Sequence, residues 1–150
     1  MTQALDQLRN VRFMRPHRVV SERLPLSTST TMATNAADLA PYLQTLHNNR
    51  RRKFQEIEDF VTGSFPEFER VDPASEGNEA TLKLVRKGTD DGLPPAYCGT
   101  GVEQILALAA VITESRPGEI ILMDEPHSFL HPAAERALLQ FLGKFPDSIL

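Results

Sequence analysis

Tryptophan is absent, cysteine occurs once, and basic residues do not outnumber acidic ones: 16 Lys and Arg stand against 20 Asp and Glu in 150 residues, a net charge of -4. The last two of these exclude something. The single cysteine, Cys98, leaves no internal disulfide, and no Cys/His spacing offers a four-ligand zinc site, so a reducing compartment is expected. A surface tuned as a whole to polyanions needs an excess of Lys and Arg that this chain does not have. Nor is there any apolar run of about 18 residues, the length needed to span a bilayer. The opening MTQALDQLRNVRF has no apolar core of an export signal, so the expectation is a cytoplasmic protein with no membrane partner.

What remains is an ordinary globular mixture, 41% hydrophobic and 24% charged, long enough for one core. Up to about Thr34 the pattern is irregular. Arg12, Arg15, Arg18 and Arg23 are interspersed among Val11, Phe13, Val19 and Val20, and a Ser/Thr run follows from Ser27 to Thr31. A short strand and a polar loop are expected there. Asn35 is placed to cap a helix carrying Leu39, Leu43 and Leu46 on one face, and a second helix aligns Phe54, Ile57 and Val61 before Pro66 stops it. The basic stretch Asn49 to Lys53 is the expected turn of this hairpin. Asp72 to Asn78, rich in turn formers, is expected to be a loop. Thr81 to Leu84 alternates like a strand with one solvated face, and Gly88 to Pro95 is expected to be a loop again.

From there the character changes. Val102 to Ile112 is apolar enough for a buried helix, Glu119 to Asp124 for a buried parallel strand, and a further helix starts at Pro132 and runs to about Gly143. With Ser148-Ile149-Leu150 as the start of another strand, the sequence has the rhythm of an α/β sheet.

The chemistry concentrates at Ile120-Ile-Leu-Met-Asp124-Glu125-Pro126, an apolar strand ending in two adjacent carboxylates. An Asp at the C-terminal edge of a parallel sheet can hold Mg²⁺, usually through water, because a hard cation prefers oxygen. The neighbouring Glu125 can polarise an attacking water. Upstream, Cys98-Gly99-Thr100-Gly101 is a Gly-rich turn directly before a helix, and free N–H groups at a helix N-terminus attract phosphate.

The continuation His127-Ser-Phe-Leu-His131-Pro132 resembles the D-loop of ATP-binding-cassette (ABC) class, AAA-type ATPases, in the DEPxxxLHP form of the RecF-like and OLD-like branches. The Gly99 to Gly101 turn resembles their signature segment, with Cys98 or Thr100 where the family has serine. The stretches Arg18-Val-Val, Asn35 to Leu39 and Phe65-Pro66-Glu67 resemble the lobe that such ATPases insert before the signature. The resemblance implies a partial P-loop NTPase sheet, α/β in class, spanning 1–150, with a small helical lobe at about 35–69 and a signature and Walker B subdomain at about 97–150. It further implies ATP and Mg²⁺, with Asp124 as metal residue and Glu125 as catalytic carboxylate. Gly99, Thr100, Gly101 and His131 would contact a nucleotide sandwiched in a head-to-tail homodimer. One part is missing: no G-x-x-x-x-G-K-[ST] occurs, so the backbone cradle and lysine that grip the β- and γ-phosphates are not among these residues. A non-catalytic interaction or regulatory module that keeps the half-fold is the alternative.

Rival chemistries fit less well. His127, His131 and Glu135 have the spacing of ligands on one helix face, but Pro132 suits the first helical position and leaves His127 in the loop. A phosphatase-like Cys98 would need an arginine where Gln104 stands. Arg50 to Lys53 could meet nucleic-acid phosphates, though a short charge run is usually a solvated tip.

Overall fold

The computed structural model describes residues 11–14, 23–26, 32–33, 35–116 and 118–144. In chain order the elements are β1 (Val11–Met14), β2 (Arg23–Pro25), α1 (Leu39–Asn49), α2 (Arg51–Ser64), β3 (Phe68–Glu76), β4 (Glu79–Arg86), β5 (Gly92–Leu93), a 3₁₀ turn (Pro95–Tyr97), α3 (Thr100–Glu114), β6 (Ile120–Met123) and α4 (Pro132–Leu142). The class is α/β. Two sheets flank the helices: β1 and β6 pair in parallel, and β2-β4-β3 form an antiparallel sheet with β5 added to β4. Arg18, Val19, Val20, the Ser27 to Thr31 run and Ser148 to Leu150 lie outside the described residues.

Helix α3 is the centre of the molecule. Val102 and every residue from Gln104 to Thr113 are buried, the mark of a helix covered on all sides. Each of its large aliphatic side chains stabilises the fold by roughly 1.5–3 kcal/mol through removal from water. Around it one apolar cluster joins Met14 and Ile121 of the parallel pair, Leu39, Leu43 and Leu46 of α1, Phe54, Ile57 and Val61 of α2, Leu82 and Leu84 of β4, and Leu138 and Phe141 of α4. Phe60 of α2 stacks on Phe141 of α4 with centroids 4.1 Å apart.

Several expectations need correction. Asp72 to Asn78 is not a loop: residues as far as Glu76 belong to β3, and only Gly77 and Asn78 turn the chain into β4. Strand β3 is at the outer side of its sheet, where proline is tolerated because an edge strand leaves some N–H positions without a ladder partner. Pro73 therefore does not interrupt it. Gly77 supplies the left-handed conformation of the two-residue turn, with φ 62°. On β4, Thr81 and Val85 are as buried as Ala80, Leu82 and Leu84, so the expected solvated face is closed except near Lys83, which reaches Glu76 at 2.8 Å.

Asp38 occupies the N-cap position of α1. Asn35 accepts a hydrogen bond from the Ala37 N–H at 3.2 Å, outside the helix it was expected to cap. The basic turn shrinks to Arg50, since Arg51 to Lys53 form the first turn of α2. These cations are engaged within the fold: Lys53 Nζ donates to the Thr113 carbonyl at 3.0 Å, Arg51 lies over the Phe54 ring, and Arg52 pairs with Glu56.

Strand β6 is parallel, as expected, but buried on one face only. Ile121 is fully buried, whereas Leu122 is 44% exposed beside its cross-strand partner Phe13 at 49%. Among the described residues no third strand joins this pair.

Candidate functional site

The parallel pair ends where the carboxylates begin. The Asp124 N–H donates to the Met14 carbonyl at 3.4 Å, which carries the ladder one residue past β6. Asp124 thus stands at the C-terminal edge of a parallel pair, the usual ligand side of such sheets. The chain then breaks sharply. Glu125 has φ 46° and Phe129 φ 65°, both in the left-handed region that a side chain disfavours. Between them the Ser128 N–H donates to the Glu125 carbonyl at 3.1 Å and the Leu130 N–H to the His127 carbonyl at 3.1 Å. The Ser128 hydroxyl donates to Glu125 Oε2 at 2.8 Å.

Asp124 and Glu125 are both exposed. No Lys or Arg pairs with either among the described residues. Two unneutralised carboxylates at a sheet edge are hard oxygen donors of the kind that Mg²⁺ prefers. No group of three His, Cys, Asp or Glu is placed to hold a metal ion among the described residues. His131 is the N-cap of α4, its Nδ1 accepting from the Ala133 N–H at 3.3 Å, with Pro132 at the first helical position. This assigns the ring proton of neutral His131 to Nε2, which remains available as a donor.

The Gly-rich turn meets this loop directly. Gly99 is the N-cap of α3 at φ 105°, a conformation that glycine alone adopts without strain. Thr100 and Gly101 N–H groups have no partner among the described residues, while Val102 and Glu103 return to the Gly99 carbonyl. Two free donors at the start of a 15-residue helix attract an anion; Glu103, in the same first turn, weakens that attraction. A Cβ on Gly101 would stand 3.0 Å from the Phe129 carbonyl oxygen and 3.8 Å from Leu130. A side chain at 101 would therefore need the Phe129 carbonyl to give way by a few tenths of an ångström, a reason for glycine independent of any approach by a phosphate.

The structure thus brings Gly101 and the Asp124 to His131 loop together. It also gives roles to residues that sequence patterns passed over: Ser128, which grips Glu125, and Phe129, 69% exposed beside the α3 N-terminus. A serine three residues after the carboxylate is a usable turn signal; nothing in the pattern marks Phe129.

Cys98 stands apart from this chemistry. Its thiol donates to the Pro94 carbonyl at 3.4 Å. Burial pushes its pKa up; Arg86 opposes this, and Glu67 and Glu103 reinforce it. The thiolate is therefore scarcer than in a free thiol. At neutral pH iodoacetamide is expected to alkylate Cys98 several-fold more slowly than a small unstructured thiol, gaining speed only as the pH rises past the ordinary value of about 8.5. Mass-spectrometric time courses at two pH values check this, and alkylation as fast as the free thiol at neutral pH would reinstate a nucleophilic cysteine.

No helix of the described residues is long and apolar enough to cross a membrane. A family model described as "AAA domain, putative AbiEii toxin, Type IV TA system" matches residues 9–147. No curated protein matches the chain.

Proposed function

Because the chain belongs to this family of AAA domains, a nucleotide-binding, ATPase-like class, we propose that it supplies the hydrolytic half of an ATP site. In that role Asp124 would hold Mg²⁺, Glu125 would polarise the attacking water, and the Gly99 to Gly101 turn would offer its N–H groups to the phosphate of a nucleotide carried by a second copy. The observation that carries the proposal is the seating of the Asp124 to His131 loop on the first turn of α3, at Gly101. The loop that begins with the two carboxylates meets that turn at Phe129 and Leu130.

Hydrolysis of a phosphoanhydride is limited mainly by positioning and by charge developing on the phosphoryl oxygens. Mg²⁺, when bound, neutralises part of that charge. Glu125 takes up proton density from the water. The N–H groups of Thr100 and Gly101 act as fixed dipoles that need no reorganisation. His131, with Nδ1 taken by the Ala133 N–H, would offer Nε2 to a head-to-tail partner. No G-x-x-x-x-G-K-[ST] lies within these 150 residues, so the grip on the β- and γ-phosphates has to come from another segment.

The absence of that loop also favours the rival reading, a non-catalytic module retaining the half-fold. Calorimetric titration of residues 1–150 with MgATP and a phosphate-release assay separate the parts of the proposal. The chain by itself is expected to show no saturable binding up to about millimolar ATP and no turnover above background, since the loop's N–H groups and lysine supply most of the attraction. Joined to a phosphate-gripping segment, it is expected to hydrolyse MgATP and to dimerise with it on size exclusion. Saturable binding and turnover by 1–150 alone would refute the half-site assignment. Failure to hydrolyse in the joined protein would leave the non-catalytic module.

A further inference from the structure

We propose that Ser128 is a positioning residue for the Glu125 carboxylate, a step that rests on Glu125 being the water-polarising group. Two bonds join the same two residues. The Ser128 N–H closes a turn on the Glu125 carbonyl at 3.1 Å, and the Ser128 hydroxyl donates to Glu125 Oε2 at 2.8 Å. The first holds the backbone of Glu125 at φ 46°, a conformation disfavoured for a residue with a Cβ. The second fixes a side chain that is otherwise long, exposed and free to change rotamer. Oε1 has no protein partner among the described residues, so one oxygen is anchored while the other stays open to water.

A general base must be held near its productive geometry before the reaction, and residues that lock its rotamer supply that order. Ser128 is suited to this because it is half-buried where Glu125 is exposed. Its next neighbour Phe129 is itself held at φ 65°, with its carbonyl against Gly101. The loop thus lies against the first turn of α3 at the Phe129 carbonyl, and within it Ser128 holds Glu125 through two bonds. A serine that only closed the turn would need its N–H alone; the hydroxyl bond to Oε2 contributes to the carboxylate and not to the turn.

Labelled 1–150 as parent, Ser128→Ala and Ser128→Thr provides the first test. The three-bond Hα–Hβ couplings of Glu125, which report its side-chain rotamer, and the contacts between its γ protons and the β protons of residue 128 are read by NMR, with thermal unfolding as a control. In Ser128→Ala the Glu125 values are expected to move to a rotamer average without a change in global unfolding, and in Ser128→Thr to return to the parent's. In the protein joined to a phosphate-gripping segment, Ser128→Ala is expected to lower kcat roughly tenfold, the size of one charge-assisted hydrogen bond, with KM unchanged, and Ser128→Thr to restore it. Parent-like NMR values or parent-like kcat in Ser128→Ala overturns the proposal. The control is Glu125→Gln: if it too leaves turnover intact, the assignment of Glu125 has failed first; if it abolishes turnover while Ser128→Ala does not, only the role of Ser128 falls.

Discussion

Glu125→Gln, in a protein that carries the phosphate-gripping segment, is expected to bind MgATP as the parent does and to hydrolyse it roughly 10² to 10⁴-fold more slowly, the range of a lost general base. The amide keeps the shape of the carboxylate and can still accept from the Ser128 hydroxyl, now 2.8 Å from Oε2. What it loses is the basic lone pair that draws a proton from water. Asp124 cannot compensate: it ends the strand, tied to the Met14 carbonyl through its own N–H, while the chain turns sharply away at Glu125. Binding is measured by calorimetry and turnover by phosphate release. A variant that binds normally and turns over at the parent rate removes Glu125 from the mechanism and leaves the non-catalytic reading in its place.

The second large effect concerns stability. Arg12→Ala is expected to destabilise the fold by about 3 kcal/mol, the lower end of the range for breaking a buried ion pair by removing one partner. Arg12 Nη1 donates to Glu114 Oε2 at 2.6 Å and Nε to Glu119 Oε1 at 3.0 Å, and the three side chains are only 19%, 9% and 14% exposed. Glu114 also accepts from the Met32 N–H at 3.3 Å. Burial works against the charge on Arg12, but its hydrogen bonds to Glu114 and Glu119 and their Coulomb fields outweigh that and raise its pKa above the ordinary value. The guanidinium thus stays charged at any pH the protein survives. One side chain ties the β1 strand to the end of α3 and the start of β6. Without it, two carboxylates face each other in a half-dry pocket.

Urea unfolding checks this. Arg12→Lys should recover only part of the loss, because an ammonium lacks the fork that reaches both carboxylates. Combining Arg12→Met with Glu114→Gln and Glu119→Gln should recover more, because no charge is then left unpaired. A loss below about 1 kcal/mol for Arg12→Ala would place the triad among ordinary surface pairs.

The sequence by itself determined the parts whose signal is local. The all-apolar run of α3, the aligned faces of α1 and α2, the apolar strand ending in Asp124-Glu125, and the cap formed by His131 before Pro132 each depend on residues within a few positions of one another, and each is where the pattern put it. The tertiary structure alone decided what depends on distant partners. Local propensity marks Pro73 and Gly77 as loop formers, yet β4 pairs with β3 through Glu76, and Glu58 of α2 accepts the Val71 N–H at 3.0 Å on the way. The pairing of Val11 with Ile120, the Arg12 triad and the contact of Gly101 with the Phe129 carbonyl join segments far apart in the chain. The physical reason is range. Helix periodicity, capping and strand alternation follow from short-range sterics and hydrogen bonds. Which strand lies at an edge, which carboxylates share one arginine and which glycine meets a neighbouring loop are set by packing around α3, which exists only once the chain has folded.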